Sequence, residues 1–87
     1  MKPRGKILQM IESILEEKEV SISIEGGETT FEFLEFDVFN FVSLSADIDY
    51  KFNIHTDVFA VSACNKIQDV FDIVEHELKQ KATRRTF

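Results

Sequence analysis

Few side chains in this chain could perform chemistry, and no group of them has the spacing of a metal site or of a catalytic triad. The two histidines, His55 and His76, are too far apart to indicate a metal site, and no spacing suggests a serine–histidine–acid triad. Asp47-Ile48-Asp49 begins like a calcium-binding loop, but Phe52 stands where that loop requires glycine and Val58 where it requires glutamate. The sequence therefore predicts neither a metal centre nor an enzyme.

An apolar stripe of helical spacing occupies the centre of the chain. Its members are Phe41, Leu44, Ile48 and Phe52. Asp37 stands shortly before the stripe, where its carboxylate can accept hydrogen bonds from the free amides of a first helical turn. We therefore predict a helix from Val38 to Phe52. Its opposite side carries Asn40, Ser43, Asp47 and Tyr50.

Helical patterns also lie on both sides of this segment. Pro3 suits a first turn and is followed by apolar residues at helical spacing, which predicts a helix from about Pro3 to Glu19. Thr56 to Val61 predicts a short helix. Asn65, with Gln68 three residues later, resembles a capping box and predicts the start of a last helix. The buried stripe of that helix is Ile67, Val70, Phe71, Val74 and Leu78.

A long segment, Val20 to Phe36, joins the first two predicted helices. Val20 to Ile24 alternates in polarity, which is typical of a strand, but no second strand follows and an isolated strand is only marginally stable. We therefore predict an ordered loop whose valine and isoleucine side chains pack into the helical bundle.

Acidic side chains are concentrated in the middle of the chain. The net charge is −6, and residues 12–49 hold eleven acids and one base. This balance disfavours nucleic acid, whose phosphates need lysine and arginine, and it suits a basic protein partner. No apolar run is long enough to predict membrane insertion. The single Cys64 cannot form an internal disulfide, which favours a cytoplasmic setting.

The stretch from Leu34 to Ile54 resembles the prosthetic-group site of acyl carrier proteins, written L-G-x-D-S-L-x-x-V-E-L. The positions that match are Leu34, Asp37, Val42 and Leu44, with Phe39 as a substitute for the second leucine. The resemblance implies an all-α, acyl-carrier-protein-like four-helix bundle. It has three long helices, one short helix and a long loop between helices one and two, in a single domain covering residues 1–87.

The serine that carries phosphopantetheine in that family is replaced here by Val38, which is flanked by Asp37 and Phe39. Valine has no hydroxyl, so we expect no 4′-phosphopantetheine cofactor. The resemblance then implies a non-catalytic protein-binding module linked to fatty-acid, lipid or polyketide metabolism, for which an enzyme of acyl metabolism is one candidate partner. Two alternatives stay open: a working acyl carrier with an atypical attachment residue, such as Ser43 or Ser45, and a non-covalent binder of acyl groups or other small molecules.

The expected partner surface combines the acidic segment from Glu12 to Glu35 with the second helix. Its predicted contact residues at that helix are Asp37, Val38, Asn40, Val42, Ser43 and Asp49. Phe33 and Phe87 fit no buried stripe and are candidates for exposed aromatic anchors. Phe41 and Phe59 are expected to fill the space in which carrier proteins shelter an acyl chain.

Overall fold

Four helices make up the computed structural model of the chain, which describes residues 3–21 and 23–84. They are α1 (Pro3–Glu17), α2 (Val38–Phe52), α3 (Val58–Ser62) and α4 (Ile67–Arg84). α1 packs against α2 and α4, and α3 packs against α2. The described residues contain no strand. The predicted all-α bundle of three long helices and one short helix is therefore confirmed, and α2 has the predicted bounds.

The first helix ends two residues earlier than predicted, at Glu17. Glu19 has a left-handed backbone with φ of 60°. Its N–H donates to the carbonyl of Glu16, and the N–H of Val20 donates to the carbonyl of Leu15, both at 3.0 Å. These two bonds form a Schellman motif, which satisfies the last carbonyls of the helix and turns the chain into the loop.

The core combines the apolar stripes that the spacing predicts on the three long helices with apolar residues from the loops and from α3. Its buried members are Ile7, Ile11, Ile14, Leu15, Phe31, Leu34, Phe41, Leu44, Ile48, Phe52, Ile54, Val61, Ile67, Val70, Phe71 and Val74. Leu78 is only partly buried because it lies towards the far end of α4. In the long loop, Val20 and Ile24 pack against the core as predicted, and Ile22 lies outside the described residues.

The long loop is hydrogen-bonded to the start of α4. An antiparallel bridge pairs Thr30 with Lys66. The N–H of Phe31 donates to the carbonyl of Asn65 at 2.9 Å, and the N–H of Ile67 donates to the carbonyl of Thr29 at 3.0 Å. These bonds hold the loop in a fixed position on the bundle. The loop residues that lead into α2 are therefore anchored to the start of α4.

The capping box predicted at the start of α4 is wrong. Asp69, and not Gln68, reaches back to accept the N–H of Asn65 at 3.0 Å. The backbone N–H of Gln68 donates to the carbonyl of Gly27 at 2.8 Å, and its side-chain amide donates to Asp72 at 2.9 Å. The carbonyls of Thr29 and Gly27 accept the first two amides of the helix, in place of an Asn65 side chain, because the loop folds over this helix end.

Two aromatic predictions have different outcomes. Phe41 is buried and packs against other rings, as expected, but Phe59 is 80% exposed. α3 has only five residues, and its buried position is taken by Val61. Phe59 therefore does not fill an inter-helix space, and that prediction is wrong. Phe33 is exposed, as expected of an anchor, whereas Phe87 lies outside the described residues.

Candidate functional site at the start of α2

Asp37 begins the candidate site as the N-cap of α2. Its backbone is extended, with φ of −107° and ψ of −179°, and its Oδ1 accepts the N–H of Asn40 at 2.9 Å. The side chain of Asn40 returns the bond, because its Oδ1 accepts the N–H of Asp37 at 3.0 Å. This capping box satisfies two amides that would otherwise lack partners, and it confirms the predicted helix start.

Lys18 connects the capping box to the end of α1. Its ammonium donates to Oδ1 of Asn40 at 2.8 Å and also to the carbonyl of Glu35. The same ammonium lies 5.8 Å from the ring centre of Phe36, which is a favourable cation–π position. Asn40 therefore has a structural task at the helix start, and any contact it makes with a partner must coexist with these bonds.

Val38 is the first residue of α2, and it is 59% exposed. Phe39, Val42 and Ser43 are exposed on the same half of the helix. A hydrocarbon side chain thus stands at the helix N-terminus, where backbone amides favour anions. The geometry presents an accessible helix start that lacks a nucleophilic atom at its first position.

The two serines of α2 differ in accessibility. Ser45 is buried, and its hydroxyl shares a hydrogen bond of 2.7 Å with the hydroxyl of Thr56. Ser43 is exposed, but it lies more than one turn beyond the helix start. An external reagent could therefore reach Ser43 and could not reach Ser45 without opening the contact between α2 and the segment before α3.

Asp49 lies apart from the other predicted contact residues. It is about 18 Å further along the helix axis than Asp37, because α-helices rise about 1.5 Å per residue. Its Oδ1 accepts both the N–H and the hydroxyl of Thr56, each at 2.8 Å. The carboxylate thus fixes the chain between α2 and α3. The remaining predicted residues gather in the first two turns of α2.

α2 carries a second apolar stripe, which was not predicted from the sequence. Its members are Phe39, Val42, Ala46 and Tyr50, all exposed. The exposed fractions are 76% for Phe39, 49% for Val42 and 91% for Tyr50. Their spacing of three, four and four residues repeats the spacing of the buried stripe and could have revealed them.

An aromatic groove lies beside the site, between the loop and the end of α3. It has a volume of about 490 Å³ and is lined by Phe31, Phe36, Phe41 and Cys64 among others. The rings of Phe31 and Phe41 meet edge to face with centres 4.9 Å apart. Its rim includes the exposed residue Glu32, so the groove is open on one side.

Cys64 is a weakly acidic thiol at the border of this groove. Burial, followed by the negative charges of Asp69 and Asp72, raises its pKa to about 11 from an ordinary value of 9.0. The thiol donates to the carbonyl of Ala60 at 3.4 Å. Because the thiolate is the reactive form, this cysteine is poorly suited to nucleophilic chemistry near neutral pH.

Alkylation of Cys64 by iodoacetamide near neutral pH should be about a hundredfold slower in the native chain than in the urea-unfolded chain. The rate should reach half its maximum near pH 11 in the native chain and near 9.0 after unfolding. The folded state holds the thiol proton more tightly, so the associated stability is present below pH 9.0 and is lost as pH rises towards 11. Equal rates would contradict a desolvated thiol.

Residues 3–21 and 23–84 contain no group of three or more side chains placed to hold a metal ion. None of the helices in the same ranges combines the length and apolar character needed to cross a bilayer.

Among solved structures, an acyl carrier protein from Thermotoga maritima is similar to this chain. The TM-score is 0.71, and the match covers 92% of this chain and 94% of the other at 24% sequence identity. No protein-family profile and no curated protein sequence matches the chain. A structural match at 24% sequence identity establishes the fold, and function must be argued from the residues of the site. The chain therefore has the fold of an acyl carrier protein.

Proposed function

We propose that this chain is a non-catalytic protein-binding module that carries no phosphopantetheine. The observation that supports it most is Val38, an exposed valine at the first position of α2. The resemblance in sequence assigns this position to the attachment serine. The fold is that of a carrier and not of a catalyst, which agrees with a role outside enzymatic chemistry.

The chemistry of phosphopantetheine attachment explains why this chain should carry none. Loading a carrier forms a bond between a hydroxyl oxygen of the protein and the phosphorus atom next to pantetheine in coenzyme A. The hydroxyl loses its proton, the pyrophosphate linkage of coenzyme A breaks, and adenosine 3′,5′-bisphosphate leaves. The side chain of Val38 has only carbon and hydrogen, so this bond has no acceptor there. Ser45 is buried with its hydroxyl bonded to Thr56, which leaves Ser43 as the accessible serine of α2.

A protein partner from acyl metabolism follows from the carrier fold by analogy, within fatty-acid, lipid or polyketide pathways and in the cytoplasm. Asn40 and Asp49 already bond within the chain, so the predicted contact surface narrows to residues that are free to turn towards a partner. These are Val38, Val42 and Ser43, all exposed in the first two turns. Asp37 is also exposed, but its carboxylate already accepts the N–H of Asn40.

The alternative of non-covalent acyl binding has less support. The ring of Phe41 belongs to the core, and the groove beside it is open at its rim. An acyl chain bound there would keep much of its apolar surface in water, whereas ligand sites usually enclose most of the ligand.

Intact mass spectrometry tests the proposal. The purified chain is incubated with coenzyme A and a promiscuous phosphopantetheinyl transferase, alongside a serine-bearing carrier protein as a positive control. We expect the control to gain one phosphopantetheine and this chain to keep its mass. A gain of one phosphopantetheine would overturn the proposal, and peptide mapping would then show whether Ser43 is the attachment residue.

A further inference from the structure

We propose that Lys18 is a positioning residue for the partner-binding start of α2, although it lies outside that helix. Its ammonium holds both the turn that leads into α2 and the first turn of the helix itself. The inference rests on the proposed binding function and adds to it the residue that keeps the binding surface in place. Loss of the Lys18 charge should loosen the helix start while the rest of the bundle stays folded.

The turn that leads into α2 contains a strained residue. Glu35 has φ of 56°, in the left-handed region where the Cβ of a non-glycine residue crowds the backbone. The carrier-protein motif that this stretch resembles has glycine at this position, and glycine adopts the same conformation without that crowding. A strained residue persists only where the surrounding structure holds it, so this turn depends on its tertiary contacts.

Lys18 supplies such a contact at the carbonyl of the strained residue. The N–H of Glu35 donates to the carbonyl of Glu32, and the N–H of Phe36 donates to the carbonyl of Phe31, both at 3.0 Å. These two bonds are local and close the turn on itself. The carbonyl of Glu35 instead accepts a bond from the ammonium of Lys18, 17 positions earlier in the chain. Lys18 therefore ties the strained turn to the end of α1.

The same ammonium reaches the first turn of α2. It donates to Oδ1 of Asn40 at 2.8 Å, and that oxygen also accepts the N–H of Asp37 at 3.0 Å. It also lies 5.8 Å from the ring centre of Phe36, which stands between the strained residue and the cap. Lys18 is itself held by α1, because its N–H donates to the carbonyl of Ile14 at 3.2 Å. One cation thus connects α1 to the turn and to the capping box of α2.

Lys18 and Lys66 hold different parts of the long loop. Lys18 is the single base among residues 12–49, so this stretch of sequence offers no second cation for the same task. Lys66 reaches the loop from the start of α4 and pairs there with Glu28 at 3.2 Å. Lys66 is therefore a matched control, since it is a lysine that bonds to the same loop away from α2.

The loop stays attached to the bundle when the Lys18 ammonium is removed. Phe31 is buried in the core, and the bridge between Thr30 and Lys66 is made by backbone groups. Replacement of the Lys18 side chain removes none of these contacts. The effect should therefore be confined to residues 35–41, which contain the strained turn, the cap and the exposed first turn of α2.

Native-state hydrogen exchange tests the inference in the full chain. Lys18→Met keeps an unbranched side chain of similar length and removes the ammonium. The amides of Asn40 and Phe41, which both donate to Asp37, should exchange about tenfold faster in this variant than in the wild-type chain. The amide of Val70, in the buried part of α4, should change by less than about twofold.

Two further variants separate the position of the charge from a general loss of stability. Lys18→Arg keeps a cation with several donors and should keep exchange at the start of α2 within about threefold of the wild-type rate. Lys66→Met removes the lysine that pairs with Glu28 and should leave exchange at the start of α2 within about twofold.

The transferase reaction gives a second measurement, in the background of Val38→Ser. There the new hydroxyl reports whether the helix start is held in a productive position. Adding Lys18→Met should lower kcat/KM for labelling about tenfold, because a misplaced acceptor reacts slowly. Adding Lys66→Met should lower it by less than about twofold, and adding Lys18→Arg should restore most of the rate.

Three outcomes would overturn the inference. These are unchanged exchange at the start of α2 in Lys18→Met, equal acceleration of exchange in α2 and α4, and equal loss of labelling with Lys18→Met and Lys66→Met. The mass measurement on the wild-type chain is independent of all three. A wild-type chain that gains phosphopantetheine would overturn the proposed function alone. An unmodified wild-type chain whose helix start is insensitive to Lys18→Met would overturn the positioning role alone.

Discussion

Leu44→Ala should lower the free energy of unfolding by about 2–5 kcal/mol, the range of large-to-small changes in protein cores. Leu44 is fully buried in the middle of α2, between Phe41 and Ile48 on the buried stripe. Truncation removes apolar surface from the core and leaves a cavity that the surrounding helices can fill only partly. Urea denaturation followed by far-UV circular dichroism measures the change as a lower midpoint at an unchanged slope.

Ser43→Ala provides the adjacent control. Ser43 is exposed, so its replacement should alter stability by less than about 0.5 kcal/mol. Phe52→Ala, at the buried end of α2, should fall in the same range as Leu44→Ala. If Ser43→Ala proved as destabilising as Leu44→Ala, the two faces of α2 would be assigned wrongly, and the exposed stripe would be assigned wrongly with them.

Val38→Ser should convert the chain into a substrate for a promiscuous phosphopantetheinyl transferase. The substitution puts a hydroxyl at an exposed helix start whose Asp37 cap and free first-turn amides are retained. Labelling should be slower than for an ordinary carrier. The resemblance to carrier proteins implies that Asn40, Ser43, Tyr50 and Lys51 stand where acids are common on this helix, although Asp49 remains. Intact mass after timed incubation with coenzyme A measures both the extent and the rate.

Val38→Ala is the matched control, since it shortens the same side chain without adding a hydroxyl, and it should remain unlabelled. Absence of labelling in Val38→Ser would show that a hydroxyl at this helix start is insufficient for the reaction. Labelling at the rate of the serine-bearing carrier would show that the missing acids of α2 do not matter for recognition by the transferase.

The start and the extent of α2 could be predicted because both depend on neighbours in sequence. Asp37 and Asn40 are three residues apart, so their reciprocal bonds need only one helical turn. The buried stripe recurs with the period of the helix itself, and its register follows from spacing alone. The same local logic identified Val38 as the first residue of the helix.

The hydrogen bonds at the start of α4 could not be predicted in this way. Asn65 and Gln68 have the types and spacing of a capping box, yet Gln68 bonds to Gly27 and Asp72 instead. Gly27 is about forty residues away in sequence, whereas the capping-box rule relates residues only three positions apart. Its carbonyl is available only because the long loop folds over the end of α4.

Sequence by itself determined the helical architecture, the Asp37 cap and the lack of a hydroxyl at Val38, since periodicity, capping and side-chain chemistry are local properties. Tertiary structure decided that the second apolar stripe of α2, which has the same spacing, stays exposed. Phe41 and Phe39 are the same residue type two positions apart, but one is buried among rings from the loop and the other faces solvent. Burial depends on which surface the other helices cover, and that surface exists only once α1, α3 and the loop have packed against α2.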